Sequence, residues 1–151
     1  MRCLPIPIMH KQKEVVVNRT ATCCCGQSTI EVEGEPVIHL VCNCNDCKKR
    51  TGSAFGISAY FSDSQIKGTN GNTICYEINN QETEQKRHFC KSCGTTLFWK
   101  ISRFPSIPGI AEMTGIAGGC FIESPLPEPT IVASNNNKCA WIELPNLKVV
   151  S

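Results

Sequence analysis

Seven of the twelve cysteines fall in three short clusters: Cys23 and Cys25 in C-C-C-G, Cys42, Cys44 and Cys47 in C-N-C-N-D-C, and Cys90 and Cys93 in C-K-S-C-G. Four thiolates complete a closed tetrahedral zinc site, whereas three leave one coordination position for an outside molecule. Two pairs and a triplet therefore allow one site that holds the fold together and one that does chemistry.

The elements that must position these thiols can be read from the spacing. On an extended strand residues i and i+2 share a side, so Cys23 and Cys25 can reach one ion while Cys24 points away. The same holds for Cys42 and Cys44. Asn45 and Asp46 favour a turn that would bring Cys47 round to the same ion. Cys90 and Cys93 are two residues apart and are followed by Gly94, which suits the positive-φ turn of a zinc knuckle.

A disulfide framework is the rival explanation for so many cysteines, and it needs an oxidising compartment. Met1–His10 contains Pro5 and Pro7, lacks an apolar run of signal length, and has its basic stretch after it rather than before. The expectation is a cytoplasmic protein that binds zinc. No stretch is long enough to cross a bilayer, so no membrane partner is expected.

A chain of 151 residues with 41% hydrophobic content can bury a true core, to which metal is an addition. The formal charge of +2 and the absence of a long basic stripe argue against a nucleic-acid partner. Short strands between turn residues dominate, with no internal repeat and no long helix.

Thr29–Glu33 alternates, placing Ile30 and Val32 inward, and Ile74, Tyr76 and Ile78 alternate in the same way, which favours antiparallel sheet. Val37–Val41 leads into the triplet, Ala54–Phe61 leads away from it, and Thr95–Lys100 follows the knuckle, so the ligands sit at strand ends. Gly68–Asn72 reads as a turn, and Glu82–Arg87 as an exposed strand or loop. Residues 1–19 read as an N-terminal arm, with Val15–Val17 adding an edge strand, ahead of a zinc-binding domain over 20–151. Phe104–Pro129 is rich in proline and glycine and reads as loops around one strand near Ala111–Ile116.

Spacing alone leaves the pairing of clusters open, since a triplet cysteine could replace a member of the closed site. The order C-x-C-G at 23–26, C-x-C-x-x-C with a basic residue and a glycine over 42–52, and F-C-x-x-C-G-T at 89–95 resembles the glutathione-dependent formaldehyde-activating (GFA) family, also called the centromere-protein-V family. The likeness runs from about Thr20 to Trp141 if K-C-A-W-I-E-L is counted. It implies a mainly β, Mss4-like fold of antiparallel sheets with zinc knuckles and few or short helices. It further implies two zinc ions, a structural one on Cys23, Cys25, Cys90 and Cys93 and a catalytic one on Cys42, Cys44 and Cys47. The family's named activity adds glutathione to formaldehyde, giving S-hydroxymethylglutathione. Asn43 stands where the family often has histidine, and the segment near Thr130 lacks a frequent histidine.

The residues argue for such chemistry independently. Three thiolates around Zn²⁺ leave a net charge of about −1, which acidifies a bound water less than three imidazoles would. A soft thiol entering the fourth position is instead held as thiolate near neutral pH. Its addition to a small aldehyde forms a carbon–sulfur bond, and reversal cleaves it, so the reaction class is a carbon–sulfur lyase. Lys48, Lys49 and Arg50 follow the last ligand, and Lys48 and Arg50 are candidates for binding an anionic thiol; the bland alternative is a solvated turn.

The competing reading closes the triplet with a protein ligand, for which Cys24, Cys75, Asp46, His39 and His88 are candidates. Both ions would then be structural in a non-catalytic Mss4-like module with a protein partner. A methionine-sulfoxide reductase of related fold usually has two C-x-x-C pairs, which the C-x-C at 23–25 does not match. Outside the clusters, Cys75, Cys120 and Cys139 are expected to pack as small hydrophobes, with Cys3 and Cys24 unassigned. Trp99, Trp141, Phe55, Phe61 and Phe98 are expected in core or pocket wall.

Overall fold

The computed structural model describes residues 16–144 and 147–150. Among these residues eleven strands form two sheets. The first takes β1 (Asn18–Thr22), β2 (Thr29–Glu33) and β5 (Ile66–Asn70), all antiparallel in the order β1-β2-β5. The second is eight-stranded and uses β3 (Ile38–Cys42), β4 (Gly56–Ser62), β6 (Thr73–Asn79), β7 (Glu84–Cys90), β8 (Thr96–Arg103), β9 (Met113–Ala117), β10 (Ile131–Ala133) and β11 (Lys148–Val150). Its order is β11-β10-β3-β4-β9-β8-β7-β6. The fold is mainly β, as expected, but the second sheet is mixed: β10 runs parallel to both β3 and β11.

One α-helix is described, α1 (Asn45–Thr51), where the sequence suggested only a turn. Cys44 caps it by accepting from the Cys47 N–H, Gly52 ends it at φ 62°, and three basic residues fill its last turn, where they complement the carbonyl end of the helix. It bridges β3 and β4, an antiparallel pair in which Cys42 lies opposite Gly56.

β4 is buried on both faces. Ala59 and Phe61 look toward the first sheet, where Ala21, Ile30, Val32, Leu97, Ile116 and Phe121 close a core. Tyr60 looks the other way, into a second core with Leu40, Trp99, Ile101 and Ile110. A bulge between His88 and Phe89 makes Leu97 the extra residue of β8, so that Leu97 and Phe98 both serve the first core while Trp99 serves the second.

Several expectations are corrected. Ile74 and Tyr76 are exposed, β6 being the outer strand of its sheet among the described residues. Cys75 on the same strand is exposed rather than packed. Trp141 is 78% exposed and is neither core nor pocket wall. The residues expected as a turn over 68–72 are largely β5, with only Gly71 and Asn72 between strands. Val16 and Val17 precede β1 without strand pairing of their own, though Val17 accepts from the Gly34 N–H; Val15, Cys3 and the rest of the arm lie outside the described residues. Asn18 and Arg19 are already part of β1.

Candidate metal centres and a cross-strand row of side chains

The two halves of the first cluster come from distant parts of the chain. Cys23 and Cys25 follow β1 in a turn closed by Gly26 at φ 77°, and Cys90 and Cys93 span the turn from β7 to β8, with Gly94 at φ 73° as its spacing suggested. The Cys25 sulfur lies 3.6 Å from that of Cys23 and 3.7 Å from that of Cys90. A tetrahedron of thiolates with metal–sulfur bonds of about 2.3 Å has edges of about 3.8 Å, so these separations fit.

Backbone N–H groups complete the setting: Ser28 N donates to the Cys23 sulfur at 3.2 Å, and Cys24 N donates to the Thr95 hydroxyl at 3.2 Å. The Thr95 hydroxyl also contacts the Cys93 sulfur and is the main reason that thiol falls to about 5. Cys23 and Cys90 are buried, while Cys25 and Cys93 face outward.

The second cluster is local. Cys42 ends β3, Cys44 caps α1 and Cys47 lies in its first turn, and all three sulfurs are within 4.8 Å of one another. Contacts among the three thiols pull Cys44 well below the usual thiol range and push the other two above it, Cys42 chiefly through Cys44 and Cys47 chiefly through Cys42. Among the described residues no fourth His, Cys, Asp or Glu ligand atom joins this group. Cys24, Cys75, Asp46, His39 and His88 therefore do not close it. His88 instead stacks on Phe98 at 4.5 Å, in the strand that enters the knuckle, and His39 is buried in β3.

Asn43, between two of the cysteines, is fully buried and ties the triplet to β10 by backbone and side-chain bonds to the Ala133 carbonyl. Lys48 also donates to a backbone carbonyl, that of Asn137, and Lys49 points outward. Arg50 turns back over the sheet, its guanidinium carbon 4.4 Å from the centre of the Trp99 ring. Lys48 and Arg50 thus leave the helix in different directions.

Sequence reasoning missed a wall of side chains that only strand register creates. Tyr60 on β4 pairs with Gly115 on β9, Gly115 with Trp99 on β8, Trp99 with Arg87 on β7, and Arg87 with Tyr76 on β6. The Trp99 indole N–H donates to the Tyr60 hydroxyl at 3.3 Å, and burial pushes the phenol up to about 12, so it keeps its proton at neutral pH. Gly115 is required here: a Cβ would stand 2.1 Å from Trp99 Nε1 and 2.8 Å from Tyr60 Cε1. A cleft of about 320 Å³ is lined by Arg50, Thr51 and Ala117 on one side and by the knuckle residues Cys93–Thr96 on the other.

This architecture defines a β-sheet protein with two cysteine clusters that can hold metal ions, one of four sulfurs and one of three. The chain belongs to the glutathione-dependent formaldehyde-activating enzyme family, whose model matches residues 18–131. In fold it is similar to a Rhodobacter sphaeroides protein of known crystal structure, with a TM-score of 0.51 and 23% identity, over 68% of this chain and 86% of that one. No curated protein matches it. Among the described residues no helix is long and apolar enough to cross a membrane.

Proposed function

We propose that this chain is a zinc-dependent carbon–sulfur lyase-type enzyme that adds glutathione, or a similar small thiol, to formaldehyde or a related small electrophile. One observation carries the reading: the triplet has three converging sulfurs and no fourth protein donor among the described residues, whereas the other cluster has four. Family membership supports glutathione and formaldehyde as the reactants. The all-sulfur donor sets favour zinc, the four-sulfur ion being structural and the three-sulfur ion catalytic. Every described cysteine is free, which accords with a reducing, cytoplasmic setting.

Zinc bound by Cys42, Cys44 and Cys47 would supply Lewis acidity that keeps an incoming thiol ionised. The chain's residues do the rest. Helix α1 holds Cys44 and Cys47 at a fixed spacing, and Asn43 pins the preceding loop to β10. Lys48 and Arg50 raise the local concentration of an anionic thiol. Addition forms one carbon–sulfur bond, moves the carbonyl π pair onto oxygen and places there the proton lost from sulfur, so no oxidant or reductant is consumed.

The test is exchange NMR on glutathione and formaldehyde with metal-loaded protein. Interconversion faster than the uncatalysed background, lost in Cys44→Ser, is expected; a rate equal to background would leave the chain a non-catalytic zinc module.

A further inference from the structure

Two arginines from separate elements flank the same side chain, Trp99. Arg50 stacks on Trp99, and Trp99 is the direct cross-strand partner of Arg87. Arg50 Nη2 and Arg87 Nε are both buried, and among the described residues neither has a hydrogen-bond partner. Leaving a buried guanidinium N–H unpaired is costly, and each cation raises the cost of the other. Burial and then the Arg50 charge hold Arg87 below the usual guanidinium range, with Cys47 and Asp46 pulling the other way.

No carboxylate of the described residues resolves this. Neither arginine forms an ion pair among the described residues, and Arg87 Nη2 is satisfied only by the neutral Gln85 side chain at 3.2 Å. The triplet is close by: a Cβ on Gly56 would lie 2.8 Å from Arg50 Nη2 and 3.2 Å from Cys47 Cβ. Gly56 thus leaves room for the arginine to sit against the cysteine helix. Arg50 also lines the cleft that leads toward the knuckle.

We propose that Arg50 and Arg87 form a paired guanidinium receptor for a carboxylate, placed to hold the acidic end of a thiol whose sulfur reaches Cys42, Cys44 and Cys47. Trp99 is its platform, keeping the Arg50 plane fixed. Two forks from different directions suit the two oxygens of a carboxylate, which would satisfy both orphaned donors at once. The proposal rests on the thiol-binding reading above for the direction in which the ligand lies. Arg87 is thereby a specificity-determining residue for an acidic over a neutral thiol.

The experiment uses the full chain loaded with Co²⁺ and two probes. S-methylglutathione carries the carboxylates but has a blocked sulfur, and its binding is followed by calorimetry. 2-Mercaptoethanol carries the thiol without a carboxylate, and its binding is followed by the sulfur-to-cobalt absorption band. Arg87→Gln should weaken S-methylglutathione about ten-fold or more, Arg87→Lys by less, and neither should alter the mercaptoethanol response. No binding of S-methylglutathione to the wild-type chain, an unchanged affinity in Arg87→Gln, or an equal loss for both probes would overturn the proposal. If mercaptoethanol leaves the wild-type band untouched while S-methylglutathione still binds through Arg87, the receptor stands and the thiol-addition reading falls. Arg87→Lys retains the charge and stem, so its graded loss gives a reading even if the glutamine variant folds poorly.

Discussion

At the scale of single residues, the two cysteine clusters differ in what they should cost to break. Cys90 is buried between β7 and the knuckle and shares its cluster with residues from the end of β1, so Cys90→Ser should abolish one metal equivalent and lower Tm sharply. Cys44→Ser should abolish thiol-addition activity while keeping near-native Tm, because its ligands all lie within one short helix and the adjoining strand end. Thermal unfolding with metal analysis of both variants checks the contrast. A third residue gives a pH signature. Burial lowers the pKa of His39 from 6.5, against a smaller opposing pull from the Pro127 backbone. The unfolded chain therefore takes up the proton first as pH falls, so the stability that neutral His39 contributes is present above pH 6.5 and is lost as pH falls below it. His39→Gln should flatten the stability–pH curve below about pH 6.5, measured by denaturant unfolding across that range.

At the scale of elements, the cross-strand row Tyr60–Gly115–Trp99–Arg87 depends on the absence of one side chain. Gly115→Ala would drive a methyl into the Trp99 indole and should destabilise by about 1–3 kcal/mol while shifting Trp99 fluorescence. That row was illegible in the sequence for a physical reason: the four residues sit on four strands, and register across strands is fixed by distant pairings rather than by local pattern. The cysteine clusters were legible because metal ligation imposes its spacing within a few residues. Alternation located β2 and β6 but could not say which faces would be covered, so Ile30 and Val32 are buried whereas Ile74 and Tyr76 on the outer strand are not. Asn45 and Asp46 suit a turn as well as the first turn of a helix, and only the Cys44 cap and Gly52 stop make α1 of them. The parallel pairing of β10 with β3 joins segments about ninety residues apart, and nothing local in three short strand residues announces it.

At the scale of the whole molecule, the first core lies between the sheets and the second on the far side of the larger sheet. Phe61 is fully buried in the first, and Phe61→Ala should cost about 3–5 kcal/mol, read from denaturant unfolding. The four-sulfur cluster joins the end of β1 in the small sheet to the β7–β8 turn in the large one, so an ion held there would act across the sheets as well as within a turn. A strong chelator should consequently act in two stages: activity should vanish first with the sheets intact by circular dichroism, and Tm should fall only when the second metal equivalent leaves. Simultaneous loss of both would mean that the two centres are energetically one.

The compactness of the triplet within Cys42–Cys47 sets it apart from the cluster whose members Cys25 and Cys90 are 65 positions apart. Emptying the compact centre disturbs a hairpin connection, whereas emptying the dispersed one severs a clamp. Were scarcity to strip only the compact centre, such a chain would persist as an intact scaffold, refilled on resupply without refolding.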